Sequence, residues 1–300
     1  MSDTAIGPSH ESFHAPPTDD PFWTETAWYS FWNSDRHLSG ALYPMFRPNL
    51  GVASCAVYVW DDTTAEPWAV PYGRSRWHLP MPDHDLTNLD LAGLRYRCVE
   101  PLRRWDLGYT DEDHLAVELT YEALLAPHGV GVSSDRGHFD QPGRISGRVV
   151  LAGEEVPIDC LSMRDRSWSV RADAGDIRAG YSYGTVSADT AFHTMSLFAG
   201  DRDVVVAGYL TRDGVTSDVI SGSRWVEDRD QGRPMRVRVE AMDALGRTLE
   251  TTGVCVNRLA FQSSPNLFAW MSLTRWDLDG HEAWGEDQDI WSPSMLARLP

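Results

Sequence analysis

The 300-residue chain is long enough for two domains and a large buried core, and 42% hydrophobic with 23% charged residues is an ordinary globular balance. A formal charge of −18 opposes contact with phosphate backbones and argues against a nucleic-acid partner. All 26 positive side chains are arginine, which excludes a Schiff-base lysine, a pyridoxal phosphate anchor and the P-loop lysine together.

Residues 1–20 are polar, carry Pro8, Pro16, Pro17 and an Asp pair, and lack the basic start and apolar stretch of a signal peptide. They read as a flexible tail on a cytoplasmic protein. Phe22, Trp23, Thr26, Tyr29 and Trp32 fall on one face of a helix, which makes Phe22–Asn33 the best short helical pattern in the chain. From Leu38 onward the pattern changes to short alternating runs such as Ser54–Trp60, Leu94–Val99, His114–Tyr121, Val204–Leu210 and Thr248–Arg258. Regular short strands separated by turn residues predict an all-β sandwich or barrel. Arg144–Leu151 and Glu155–Leu161 flank Ala152-Gly153-Glu154, a hairpin signal. The Gly-, Ser- and Asp-rich run Gly129–Gly143 separates two β-rich stretches, and no apolar run reaches the length of a membrane span.

The motifs with chemical potential divide into weak and strong. Cys55, Cys98, Cys160 and Cys255 stand singly, so they read as reduced core residues and not as metal or dithiol sites. His78, Asp83, His84 and Asp85 lie in a Pro-rich loop without ligand spacing, and no Gly-x-Gly-x-x-Gly occurs; no metal and no cofactor are expected. Gly180-Tyr181-Ser182-Tyr183-Gly184 matches the nucleophile elbow, but the residues after it read as turn and strand where that motif needs a helix. Thirteen tryptophans exceed what two small barrels need for packing, and a Trp-lined cavity suits a substrate that develops positive charge. The densest polar segment is Ser162–Arg171, where Arg164, Arg166 and Arg171 surround Asp165 and Trp168. It is either an internally paired ion network or a site; in the second case Asp165 transfers a proton and His193 is the second titrating group.

Four segments resemble the superfamily of carotenoid 1,2-hydratase (hydroxyneurosporene synthase) and its AttH-like tandem-lipocalin relatives, most closely a bacterial branch of it. They are Arg47-Pro48-Asn49-Leu50-Gly51, His138-Phe139-Asp140-Gln141-Pro142-Gly143-Arg144, Arg164-Asp165-Arg166-Ser167-Trp168 and Trp284-Gly285-Glu286. The resemblance spans nearly the whole chain after the tail. It implies two lipocalin-like antiparallel β-barrels packed side by side, placed at 21–155 and 156–300. It also implies a cofactor-independent lyase or isomerase (hydratase, dehydratase or cyclase) acting on an apolar isoprenoid or polyene-type molecule; a non-catalytic carrier of a lipid or terpenoid is the alternative. The family's Asp-His-Glu-Trp-Ser is here Asp165-Arg166-Ser167-Trp168-Ser169. Arg166 cannot act as a base near neutral pH, so acid-initiated alkene chemistry replaces hydration as the broader expectation, with His193 supplying the imidazole. Asp165 and His193 are thus the expected catalytic pair; Trp168, Arg164, Arg166, Arg171, His138, Gln141, Tyr181 and Tyr183 are expected to bind substrate. Three arginines near Asp165 would lower its pKa, which favours a carboxylate acting as base or cation stabiliser at least as much as a free acid.

Overall fold

The protein is described here from a computed structural model, for residues 5–133, 135–172, 175–200, 202–264 and 266–298. Strand accounts for 68% and helix for 5%, so the all-β expectation holds. The chain forms two compact units, one from described residues within 1–35, 39–59 and 71–172, the other from those within 36–38, 60–70 and 173–300. The boundary expected at 155/156 falls inside a strand, Glu154–Val170, and the first unit runs on to Ala172. Among the described residues, no helix is long and apolar enough to cross a membrane.

The first unit holds β1 (Trp23–Asn33), β2 (Leu38–Arg47), β3 (Val52–Trp60), β4 (Tyr72–Pro80), β5 (Asn88–Leu91), β6 (Leu94–Glu100), β7 (Arg104–Asp111), β8 (Leu115–Ala123), β9 (His128–Val130), β10 (Gly137–Leu151) and β11 (Glu154–Val170). They form one sheet in the order β4-β3-β2-β1-β11-β10-β8-β7-β6-β5, with β9 added on β10. β10 and β11 are the predicted hairpin: Leu151 pairs with Glu154 across Ala152 and Gly153, both at positive φ (48° and 86°), as a tight two-residue turn requires. The sheet curls strongly. Tyr29 of β1 packs edge-on against Tyr96 of β6 at 5.0 Å although β11, β10, β8 and β7 lie between them in the sheet. Trp105 and Tyr121 complete this aromatic floor on the concave side.

Two expectations fail here. Phe22–Asn33 is not a helix; Trp23–Asn33 is a central strand, and from Trp23 to Trp32 every residue is buried. A strand covered on both faces shows no polar alternation, so its period of two was hidden and a helical spacing emerged by coincidence. The amino-terminal segment is not a loose tail in its described part either. Pro8–Glu11 form a single 3-10 turn, Glu11 is 1% exposed, and Phe13 packs on Phe46.

The second unit holds β12 (Arg178–Ser187), β13 (Thr190–Ala199), β14 (Arg202–Arg212), β15 (Val215–Asp230), β16 (Arg233–Asp243), β17 (Thr248–Cys255), β18 (Leu259–Ser264), β19 (Leu267–Leu278) and β20 (His281–Trp291). The order β17-β16-β15-β14-β13-β12-β20-β19 closes on itself because β19 also pairs with β17, which gives an eight-stranded barrel. Phe192, Val237, Val239, Trp276 and Leu278 fill its core. Gly180–Gly184 lies within β12, and Ser182 Oγ donates to Asp287 Oδ1 at 2.6 Å, so the segment is a barrel strand and not a nucleophile elbow.

Candidate active site

Successive side chains on a strand point to opposite faces, and β11 uses this to divide its polar run into two constellations. Arg164, Arg166 and Trp168 share one face. Arg164 grips Glu11 with two nitrogens (2.6 and 2.9 Å), and its Nε and Nη2 donate to Gln141 Oε1 at 3.0 and 2.7 Å. Arg166 donates to Glu25 Oε2, to the Ser12 carbonyl (3.0 Å) and to the Thr26 carbonyl (3.0 Å). Trp168 stacks on His14 at 4.0 Å, and His14 Nδ1 lies 3.1 Å from Glu25. Burial would raise both carboxyl pKa values, but the charge and hydrogen bonds of Arg164 hold Glu11 below the ordinary range, and Arg166 with His14 does the same for Glu25. This face is an ion network with every charge matched.

Asp165 and Ser167 lie on the other face. In the register, Asp165 is flanked by Asp140 of β10 and Trp28 of β1, and Ser167 by His138 and Thr26. His138 Nε2 and Asp140 Oδ2 are 2.9 Å apart, with Asp140 fully buried and His138 17% exposed. Arg171 Nη2 donates to Ser167 Oγ (2.5 Å), which bonds Thr26 Oγ1 at 2.6 Å; Tyr43 joins through Arg171 and Thr26. Trp28 stands edge-on to Tyr43 at 5.2 Å, and the buried Met163 lies two residues before Asp165 on the same face of β11. Asp165 as a residue is half-buried. Its pKa is raised to about 6: burial comes first and the charge of Asp140 adds to it, against the opposing charges of His138, Arg171 and Arg166. For His138, burial disfavours the imidazolium, but the charge and hydrogen bond of Asp140 outweigh it and raise the pKa.

The expectation that three arginines depress Asp165 is therefore overturned. Arg164 and Arg166 are committed to Glu11 and Glu25 on the opposite face, and of the three only Arg171 has its side-chain bonds on the side of Asp165. Trp168 does not shield Asp165, because it belongs to the Arg166 face. Gln141 braces Arg164 and donates to the Leu102 and Leu125 carbonyls (2.8 and 3.0 Å). His193 lies in the second unit, fully buried, with Tyr181 at 4.4 Å and Tyr209 at 5.8 Å. Tyr183 pairs with it across β12 and β13, so His193, Tyr181 and Tyr183 form a group within the second unit. Of the residues singled out by sequence, His138 and Arg171 are brought to Asp165. Sequence reasoning missed Asp140, Tyr43 and the role of Trp28. Asp140 was within reach: two residues from His138 on a strand, it must share its face. Among the described residues, no group of three or more His, Cys, Asp or Glu side chains is arranged to hold a metal ion.

A curled antiparallel half-barrel and a closed eight-stranded barrel on one chain define a protein of the two-barrel all-β class. The chain belongs to the family described as Domain of unknown function (DUF7064), which matches residues 7–287. No curated protein matches it by sequence. Among solved structures, an AttH candidate of Nitrosomonas europaea has a TM-score of 0.65 at 14% identity, covering 97% of this chain and 99% of that one. Kievitone hydratase of Nectria haematococca follows with a TM-score of 0.59 at 10% identity over 97% and 94% of the two chains. CghA with Sch210972 gives 0.57 at 12% identity over 96% of each. At these identities the likeness is one of fold, and it agrees with the expected two-barrel architecture.

Proposed function

We propose that this chain is a cytoplasmic, cofactor-independent lyase or isomerase of the hydratase, dehydratase or cyclase type, acting on an apolar isoprenoid or polyene, with Asp165 as proton donor. The observation that carries the reading is the setting of Asp165: a half-buried residue beside Trp28 whose carboxyl pKa is raised to about 6 by burial, so that a useful fraction is protonated near neutral pH. The name of kievitone hydratase and the resemblance to the carotenoid hydratase superfamily support the same chemistry.

In the hydration direction, the Asp165 O–H bond breaks and the alkene π pair takes the proton, leaving a carbocation opposite a carboxylate. Trp28 and Tyr43 present aromatic surface to that cation. Water adds to the cation, and its surplus proton returns to Asp165, so the acid is regenerated and the net change is addition of one water. Loss of a neighbouring proton to the carboxylate instead gives an isomerised alkene; where the π pair of a second double bond first attacks the cation, forming a C–C bond and moving the charge, the same proton loss gives a cyclised alkene. His138, tethered by Asp140, takes the place expected of His193 as second titrating group.

The test is incubation with prenyl alcohols in ¹⁸O-water, reading label in product by mass spectrometry and ligand binding by tryptophan quenching. Asp165→Asn is expected to lower turnover by about 10²–10⁴ while quenching persists. Binding without product in the native protein would overturn the reading in favour of a carrier.

A further inference from the structure

The two buried arginines of β11 obtain their counter-charges differently. Arg166 is matched by Glu25 of the adjacent strand, a partner built into the sheet. Among the described residues, the strands offer Arg164 neutral groups: Gln141 Oε1, the Tyr29 hydroxyl at 3.3 Å and the Tyr121 hydroxyl. Among the described residues, the one carboxylate paired with Arg164 is Glu11, brought in by a segment that precedes the first strand. Removing that carboxylate would strand a fully desolvated guanidinium, which is strongly unfavourable unless another anion replaces it.

The surroundings of this cation are aromatic and closed to solvent. The Arg164 guanidinium lies over three rings, Phe139 at 5.2 Å, Tyr121 at 5.3 Å and Trp105 at 5.7 Å. The Glu11 carboxylate receives two guanidinium nitrogens and the Leu102 amide at 2.7 Å, a bidentate clamp with one added donor. Around it the segment is held by Ser12 O, which accepts from Arg166, by the Phe13 and His14 amides, which donate to Asp85 Oδ1 and Glu25 Oε1 (2.8 Å each), and by His10 and His14 against Trp168.

From this asymmetry we infer that Arg164, with Leu102 N and the Trp105, Tyr121 and Phe139 rings, is a binding site for an apolar carboxylic acid, which Glu11 of the amino-terminal segment occupies as an internal ligand. The carboxylate of the incoming acid takes the place of Glu11, its tail lies on the aromatic floor, and the segment is displaced. The site is on the opposite face of β11 from Asp165, and neither readout below involves turnover, so this inference and the Asp165 chemistry stand or fall apart.

The experiment uses the full chain, with dodecanoate as probe and dodecan-1-ol as its uncharged match, read by tryptophan fluorescence. Glu11→Ala removes the internal competitor and is expected to bind dodecanoate about tenfold tighter or more, with dodecanol changed less than about twofold. Equal gains for acid and alcohol, or no gain for the acid, would overturn the site. Hydrogen exchange on the native protein gives an answer even where the variant does not fold. Saturating dodecanoate, but not dodecanol, is expected to speed exchange of the Ile6–His14 amides severalfold, and unchanged exchange there would equally overturn the inference.

Discussion

The two faces of β11 carry residues of the same kinds, one position apart, and treat them in opposite ways. On the Arg164 face each cation meets a carboxylate, the carboxylate pKa values are held down, and the arginines are almost wholly buried. On the Asp165 face the acid sits among another carboxylate, an imidazole and one arginine, and burial wins. The lesson is that the charge count of a segment says little about any one carboxyl; the strand period decides which charges it meets. Fully compensated charge behaves as a brace, whereas under-compensated charge stores a shifted pKa that chemistry can use.

Breaking the brace should have the largest effect. Glu25→Gln leaves Arg166 buried without its counter-charge and is expected to cost about 3–5 kcal/mol in urea unfolding at pH 7. An unchanged midpoint would remove the distinction between the faces. Asp165→Asn should move stability the other way. The folded pKa of about 6 lies above the ordinary 3.8, so the charged form is disfavoured on folding and native stability falls as pH rises through that window. The variant should therefore gain up to about 3 kcal/mol over the native protein at pH 8 and nothing at pH 3.5. Glu11 and Glu25 have the opposite sign: their pKa values lie below 4.5, so the stability they supply is present above that pH and lost as pH falls through the lowered values. The smallest effect belongs to the surface. Arg144 and Asp159 make two 2.6 Å bonds but are 54% and 60% exposed, and Asp159→Asn should cost less than about 1 kcal/mol.

Much of this was legible in the sequence. The short alternating runs gave the strands, Ala152-Gly153 gave the hairpin that aligns β10 with β11, and Asp165 stood out as the candidate acid. Three things were hidden. β1 is buried on both faces, so nothing marked it as a strand. The arginines around Asp165 are drawn away by Glu11 and Glu25, which lie 153 residues from Arg164 and 141 from Arg166, and no local pattern reports such a pairing. The thirteen tryptophans pointed to a cavity, but Trp23, Trp60, Trp105, Trp168 and Trp276 are fully buried, and it is Trp28 that pairs with Asp165 in the register. His138-Phe139-Asp140 was readable in full, since an i, i+2 pair on a strand faces one way.

The central claim is that Asp165, and not its paired neighbours, is a proton donor near neutral pH. Its direct test is carbon-detected NMR of the aspartate carboxyls, with Asp165 assigned by its absence from Asp165→Asn. A midpoint near 6 is expected. A midpoint below about 4, the range of an ordinary or ion-paired aspartate, would contradict the account and return Asp165 to the network on the other face.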